Sequence, residues 1–407
     1  MSDPRNTSPR RDPWLTVIGL GEDGPEGLSP AARRALQQAE IIMGPSRHMG
    51  LLSAGDLGIK AELREWPVPF ARGVEDLLAL AGRQVVALAS GDPFWFGAGA
   101  VLARRLSPGE WRALPGLSSL SLAGSRLGWG LESVLCLGLH AAPLSRLRPQ
   151  LAEGRRIIVT LRDGAAVGDL GRYLCDVGFG ASEVHILEAL GGPRERIRQA
   201  RADALPDDVG HPVVVGLEPV GQGMTLATGR DDTLFDSDGV MTKRPVRALT
   251  LSALAPRAGE HLWDIGGGSG SIAIEWLMCD ASLSAQTVEL RADRAARIRD
   301  NATALGQDRL QVIEGRAPDV LDRLDRPDVV FIGGGLSEPL LAWLETNLSG
   351  VRLVANAVTL ESEALLMQAQ ARRGGDLLRI DLSQAAPLGP RKGWKAAYPV
   401  VQWSVTL

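Results

Sequence analysis

Short apolar runs that end in glycine alternate along this chain with segments whose apolar residues recur at helical spacing, a pattern that belongs to α/β architecture. Trp14–Gly19 (WLTVIG) is a β-rich run closed by glycine, and Ser29-Pro30 behind it offers a helix cap with proline at the first helical position. The apolar runs at 84–89, 156–161 and 211–216 read as further strands and 73–81 as a helix, which predicts a layered α/β domain over 12–220. Between 221 and 238 the sequence GQGMTLATGRDDTLFDSD loses period and gains Gly, Asp and Thr, as a linker does. A second domain is expected over 239–407. It runs helix from Arg244 to about Ala255, strand HLWDI, glycine loop, helix IAIEWLM, strand TVEL, helix to Leu305, strands LQVIE and DVVFIG, a helix, and strand RLVANA. A helix over 360–373 and strands over 377–382 and 399–405 complete it. Alternation this regular predicts a doubly wound, Rossmann-like, mostly parallel sheet. No internal repeat links the halves.

Length agrees with two domains, since 407 residues exceed what one core organises. With 45% hydrophobic and 23% charged residues the composition is globular. A net charge of −4 with scattered Lys and Arg excludes the one-sided basic field that nucleic-acid partners require. The apolar runs are too short for a membrane-spanning helix. Cys136, Cys175 and Cys279 lack CxxC spacing or clustered histidines, so neither a disulfide framework nor a metal site is indicated, and they read as buried small hydrophobes. The polar stretch 1–12 has no apolar h-region and is expected to be a disordered tail rather than a secretory signal, which points to a reducing, cytoplasmic setting.

The sharpest chemical signal is Leu262–Ser271 (LWDIGGGSGS), a buried strand running straight into glycines and then a helix. Glycines at 266, 268 and 270 permit tight turns and bring backbone close to a ligand. The next strand ends near Glu289, whose carboxylate can accept hydrogen bonds from both ribose hydroxyls of a nucleoside. A dinucleotide fingerprint starting at Gly266 would need Gly or Ala at its third position, where Ser271 stands, so nicotinamide dinucleotides fit poorly. Asp-x-Gly-x-Gly-x-Gly suits S-adenosylmethionine, with Asp264 organising the loop or reaching the methionine part. Glu314–Pro318 (EGRAP) places the backbone of Ala317 where an adenine would lie, and Phe331–Gly335 (FIGGG) leaves room beside the transferred methyl group.

Met241–Arg247 (MTKRPVR), the WDIGGGSGSIAIE block, Glu289, Gly315–Pro318, FIGGG and Leu353–Glu361 (LVANAVTLE) stand in an order that resembles the decarboxylating half of the precorrin-6Y C(5,15)-methyltransferases of cobalamin biosynthesis. The resemblance implies that Thr242, Gly266, Gly267, Gly268, Ser269, Gly270, Glu289 and Ala317 line an S-adenosylmethionine pocket; Arg316 departs from it, standing where an acidic residue is usual. Val17–Gly21 (VIGLG), Ala89–Gly97 (ASGDPFWFG), Pro115–Ser119 (PGLSS) and Leu187–Arg196 (LEALGGPRER) make the first domain similar to the two-lobed tetrapyrrole methylases. That likeness implies a second donor site contacted by Ser90, Gly91, Asp92, Trp95, Ser118 and Ser119. The first loop, Gly-Leu-Gly-Glu-Asp-Gly-Pro, is longer than the family's, so Gly21 and Glu22 receive no specific contact.

If the resemblance holds, the first domain methylates carbon 5 of a reduced precorrin-6, and the second methylates carbon 15 and releases carbon dioxide from the acetate on carbon 12, giving precorrin-8. Lys243, Arg244 and Arg247 are then candidates to anchor the substrate's carboxylates, and Arg247, Glu361 and His140 are candidate catalytic groups. Self-association into a homo-oligomer is also implied. The competing classes are a paired methyltransferase acting on another tetrapyrrole, a donor-sensing scaffold without turnover, and a nicotinamide oxidoreductase.

Overall fold

A computed structural model of the protein describes residues 13–53 and 55–407, so the stretch 1–12 expected as a disordered tail lies outside the described residues. The chain divides into two compact units, Met1–Ala142 with Ala152–Gln222, and Pro143–Leu151 with Gly223–Leu407.

The first unit holds two sheets. Its first lobe runs β1 (Leu15–Leu20), α1 (Pro30–Gln38), β2 (Ile41–Gly44), α2 (Ser46–Ser53), β3 (Glu62–Glu65), α3 (Phe70–Leu78), β4 (Val85–Ser90), α4 (Ala98–Ala103) and β5 (Trp111–Leu114). The strands pair in parallel in the order β3-β2-β4-β1-β5. β1 lies inside the sheet and is buried along its whole length, with Leu15 and Val17 in one core cluster and Ile18 and Leu20 in another, because a parallel sheet is covered on both faces. Ser29 caps α1 as its sequence indicates, its hydroxyl accepting the Ala32 amide at 3.1 Å. Helix α3 begins three residues earlier than the apolar spacing predicts, straight after the extended Pro69 that serves as its cap.

After α5 (Ser119–Leu127) the second lobe follows as β6 (Val134–Gly138), β7 (Arg156–Thr160), α6 (Ala165–Asp176), β8 (Glu183–Glu188), β9 (Arg196–Arg201) and β10 (Val213–Glu218). Its order is β6-β7-β10-β8-β9, parallel only between β6 and β7. The edge strand β9 (RIRQAR) is guarded by charge, with Arg196 and Arg198 paired to Glu188 and Asp208.

The second unit runs α7 (Arg244–Leu254), β11 (His261–Ile265), α8 (Ser271–Cys279), β12 (Ser284–Glu289), α9 (Ala292–Ala304), β13 (Gln311–Glu314), β14 (Val329–Ile332), α10 (Glu338–Asn347), β15 (Arg352–Ala357) and α11 (Leu360–Arg373). It closes with β16 (Asp376–Ile380), β17 (Ser383–Leu388), β18 (Arg391–Ala396) and β19 (Val400–Thr406). Seven strands form one sheet, β13-β12-β11-β14-β15-β19-β16, in which β19 alone runs antiparallel, inserted between β15 and β16. Ile265 stands level with Val288 on one side and Ile332 on the other, and Ile332 with Ala355, so the carboxyl ends of four strands form one edge. Helix α8 is apolar nearly all round and buried from Ser271 to Leu277, as the central helix of a doubly wound sheet must be.

The stretch 221–238 is ordered from Gly223 onward as part of this unit: the amides of Gly229 and Arg230 donate to Glu275 at 2.7 and 2.9 Å, and Phe235 joins the core. The cysteines correct one expectation. Cys175 and Cys279 are exposed and Cys136 is half-buried, since Cys175 follows buried Leu174 onto the outer face of α6 and Cys279 ends α8, its thiol donating to the Glu275 carbonyl. No helix among the described residues is long and apolar enough to cross a membrane.

Candidate functional site

In the second unit the site is built where β11, β12 and β14 end. Glu289, the last residue of β12, is 5% exposed; its Oε2 accepts the Gly268 amide and its Oε1 the Arg291 amide, each at 3.0 Å. A carboxylate offers about four acceptor positions, so Glu289 orders the loop and still has acceptor capacity for a diol. The glycines divide by task. A Cβ on Gly266 (φ +76°) would strike the backbone of Gly334 at 2.6 Å, because the FIGGG loop folds backbone against backbone here, with the amides of Gly333 and Gly334 donating to the Ile265 carbonyl at 2.9 and 3.3 Å. Gly267 and Gly270 make room for Thr287 and Ile298, so their missing side chains serve packing. Gly268 is different: at φ +59° a Cβ there would meet only the Val240 carbonyl, at an ordinary contact distance of 3.7 Å, so its backbone is not packed against other backbone and stays approachable, as a ligand cradle requires.

Asp264 lies beneath this loop, 1% exposed. It accepts the Ala273 amide in the first turn of α8 and faces the Thr287 hydroxyl at 3.5 Å, so it caps a helix whose own N-cap residue is Gly270. Burial pushes its carboxyl up to about 7. A raised carboxyl favours the folded state while protonated, so its contribution is complete below the ordinary value of 3.8 and is lost as pH rises through about 7. Asp264→Asn should therefore gain stability relative to the parent between pH 4 and 7, by at most about 1.4 kcal/mol per pH unit in ligand-free urea melts. A difference that does not change with pH would remove the raised carboxyl.

Arg247 requires a correction. Expected to anchor substrate or act in catalysis, it is fully buried. Its Nε donates to Glu275 Oε1 at 2.7 Å, Nη1 to Asp232 Oδ1 at 3.0 Å and to the Thr242 carbonyl, and Nη2 to the Arg230 carbonyl, while the guanidinium lies over the Phe235 ring. With every nitrogen engaged inside the protein it cannot meet a substrate carboxylate. It holds the segment carrying Thr242 in place instead.

Lys243 and Arg244 do reach solvent at the start of α7. Ser269 is buried, and its carbonyl takes the Asn301 amide at 2.9 Å, the same amide group that donates to the Asp236 carbonyl. Ala317 is half-buried against the core on one face of the sheet. Glu361 is exposed in the first turn of α11, where a carboxylate meets the positive end of the helix.

In the first unit three of the sequence blocks converge. Gly19, Gly91 and Gly116 meet backbone to backbone at the ends of β1, β4 and β5: the Gly116 amide donates to the Gly91 carbonyl at 3.0 Å, and a Cβ on Gly19 would overlap that carbonyl. Beside them opens a cavity of about 490 Å³ lined from both lobes, with Ser90, Gly91, Trp95 and Ser119 on one side and His140, Thr160 and His211 on the other. That volume suits a small-molecule ligand. Ser118 and Asp92 stand outside the wall of this cavity: Ser118 is 7% exposed and its hydroxyl caps α5 by accepting the Ser121 amide, and Asp92 accepts the Phe94 amide within its own turn. His140 stands in the cavity wall, 3.4 Å from the Thr160 hydroxyl.

Sequence reasoning missed the polar end of this cavity. Glu22 is buried and paired with both Arg47 and Arg194. Arg47 also donates to Ser90 Oγ and to His48 Nε2, each at 2.8 Å. Burial, then the neighbouring Arg47, holds His48 down to about 3, so it stays neutral and accepts from the guanidinium. These residues sit in an ordinary amphipathic helix and a loop of unusual length, and no spacing marked them.

A family model for a precorrin methyltransferase domain matches residues 233–407, and one for the tetrapyrrole (corrin/porphyrin) methylases matches 15–206. A Sinorhizobium protein named precorrin-6Y C(5,15)-methyltransferase [decarboxylating] is 49% identical over 414 residues, covering 100% of both chains. Two Salmonella typhimurium proteins match in part. A cobalt-precorrin-6B C(15)-methyltransferase (decarboxylating) is 30% identical over 42% of this chain and 92% of its own. A cobalt-precorrin-7 C(5)-methyltransferase is 26% identical over 50% of this chain and 98% of its own. With the glycine loop, its acidic neighbour and the two-lobed cavity in place, the full-length match is decisive: the chain belongs to the decarboxylating precorrin-6Y C(5,15)-methyltransferases, a family of S-adenosylmethionine-dependent C-methyltransferases.

Proposed function

We propose that this chain methylates a reduced precorrin-6 at carbons 5 and 15 and removes carbon dioxide from the acetate on carbon 12, giving precorrin-8, with a donor site in each unit. The observation that carries the reading is the approachable backbone of Gly268 held by Glu289, a cradle with a diol acceptor at the carboxyl edge of a doubly wound sheet. The partial relatives support the division of labour: one is named for the C(15) reaction with decarboxylation and the other for the C(5) reaction, and they cover 42% and 50% of this chain, about the size of its two units.

In the second unit Glu289, Gly268, Thr242 and the backbone of Ala317 would hold the donor; in the first, Ser90, Gly91, Trp95 and Ser119 would, with Arg47 fixing Ser90. When bound, S-adenosylmethionine supplies an electrophilic methyl group and a neutral thioether leaving group. The protein's share is positioning and exclusion of water, which supply most of the rate when the leaving group is already good. Lys243 and Arg244 are placed to hold substrate carboxylates by charge-assisted hydrogen bonds, while Glu361 and His140 are the solvent-facing groups that can carry a proton.

The test incubates the full chain with reduced precorrin-6 and methyl-labelled donor and follows label and mass. Two methyl groups gained and one carbon dioxide lost is the expected product, with two donors bound per chain by calorimetry. Label uptake without mass loss would overturn the decarboxylation, and one donor per chain would overturn the paired sites.

A further inference from the structure

The hairpin of β17 and β18 takes no part in the site of the second unit, yet it stands at the edge of the sheet that carries that site. Ala357 and Arg379 both face Val401, so β15 and β16 end at the same level, and the chain leaves β16 after Ile380 and returns into β19 at Val400. The hairpin therefore springs from the carboxyl edge of the sheet that holds the glycine loop. Its base is tied to α7, where Val246 packs with Ile380, Val400 and Leu382, next to the exposed Lys243 and Arg244. Since β19 lies three strands from β11, the hairpin's root is roughly 14 Å from the glycine loop at ordinary strand spacing.

Its chemistry is one-sided. Residues 383–396 (SQAAPLGPRKGWKA) carry Arg391, Lys392 and Lys395 and no acid, in a chain of net charge −4. No carboxylate among the described residues pairs with any of the three, although arginines elsewhere in the protein are widely engaged in ion pairs. The register sets Trp394 opposite Ala385 and Lys392 opposite Pro387, so one face of the hairpin is an indole on a floor of small residues with an ammonium beside it. Trp394 is 80% exposed. A two-stranded hairpin is marginal in water, and a free indole with unpaired cations adds nothing to its own folding.

We propose that this hairpin is the docking arm for the anionic tetrapyrrole in the second unit: Trp394 stacks on the macrocycle, and Lys392, Lys395 and Arg391 take its carboxylates. The proposal rests on the reading of this unit as acting on a polycarboxylate tetrapyrrole, and it replaces the anchoring role that burial denies Arg247. A macrocyclic acceptor with acid arms spans the distance from loop to hairpin, which a small acceptor does not. Cations on both faces of the strand let the arm grip carboxylates around the ring's rim.

The test uses the full chain carrying Lys392→Glu with Lys395→Glu, and separately Trp394→Ala and Trp394→Phe. The charge-reversed variant and Trp394→Ala should each raise the KM for reduced precorrin-6 in the decarboxylating step about tenfold or more, with the KM for donor unchanged, whereas Trp394→Phe keeps most of the affinity. Binding of uroporphyrin III, a stable polycarboxylate porphyrin, should weaken in the same order and more steeply at low salt. Unchanged acceptor KM and porphyrin binding would overturn the proposal, as would a loss confined to variants that sediment as smaller species, which would make the hairpin a contact between copies of the chain. If the parent protein turns over no precorrin, the functional reading fails by itself, and porphyrin binding still decides the arm.

Discussion

Arg247→Ala is expected to destabilise the second unit by about 3–5 kcal/mol rather than to loosen its hold on substrate, because it strands the fully buried Glu275 without its principal counter-charge. What remains to Glu275 is the pair of amides from Gly229 and Arg230 and a long contact to Arg230 at 3.4 Å. Arg247→Lys should recover little, since an ammonium cannot reproduce the fork that reaches Glu275, Asp232 and two carbonyls at once. Arg247→Met combined with Glu275→Gln should recover much of the loss, because removing both charges removes the desolvation cost as well. Urea unfolding of the three variants beside the parent protein measures this directly. A normally stable Arg247→Ala with a raised KM for tetrapyrrole would return the residue to substrate anchoring.

The second large effect is at Glu289. Its replacement by alanine should remove donor binding from the second unit and leave the first unit's affinity unchanged. Two hydrogen bonds from ribose hydroxyls to a charged acceptor are worth about 1.5–3 kcal/mol each, so affinity should fall roughly a hundredfold or more. The loss is compounded because the Gly268 and Arg291 amides also lose their acceptor. Glu289→Gln should be intermediate, keeping one acceptor oxygen while turning an NH2 group toward an amide donor. Calorimetry with S-adenosylmethionine decides it: unchanged stoichiometry and affinity in Glu289→Ala would leave the ribose role without support.

The two units differ in how much of them can be read from the chain. In the second, the central strands β11, β12, β14 and β15 are buried and the helices are long, so period and composition agree, and α11 spans 360–373 as its pattern predicts. In the first, β3 (ELRE) and β9 (RIRQAR) are short, charged and largely exposed, and they hold their places through neighbours rather than through an apolar run. The hairpin of β17 and β18 escaped for a related reason: Pro387, Gly389, Pro390 and Gly393 suggest a loop, whereas Gly389 at φ +59° supplies the left-handed turn a hairpin needs.

The candidate sites follow the same division. Local backbone demands leave marks in sequence, since a turn at positive φ or a close backbone approach excludes almost every residue but glycine; Gly266, Gly268 and Gly270, and the blocks that bring Gly19, Gly91 and Gly116 together, were legible for that reason. Side-chain partnership leaves no such mark. Arg247 beside Lys243 and Arg244 looks like one of three equivalent cations, and only the packing of α7 against α8 turns it inward onto Glu275, 28 positions away. Ser118 and Ser119 are alike on paper, and only the start of α5 makes one a cap and the other a cavity wall. Glu22, Arg47 and Arg194 come from three distant places and become one polar cluster through the fold alone. Constraints carried by a single residue's own backbone can be read from the chain, while those set by burial and by which charges meet exist only once distant elements have packed.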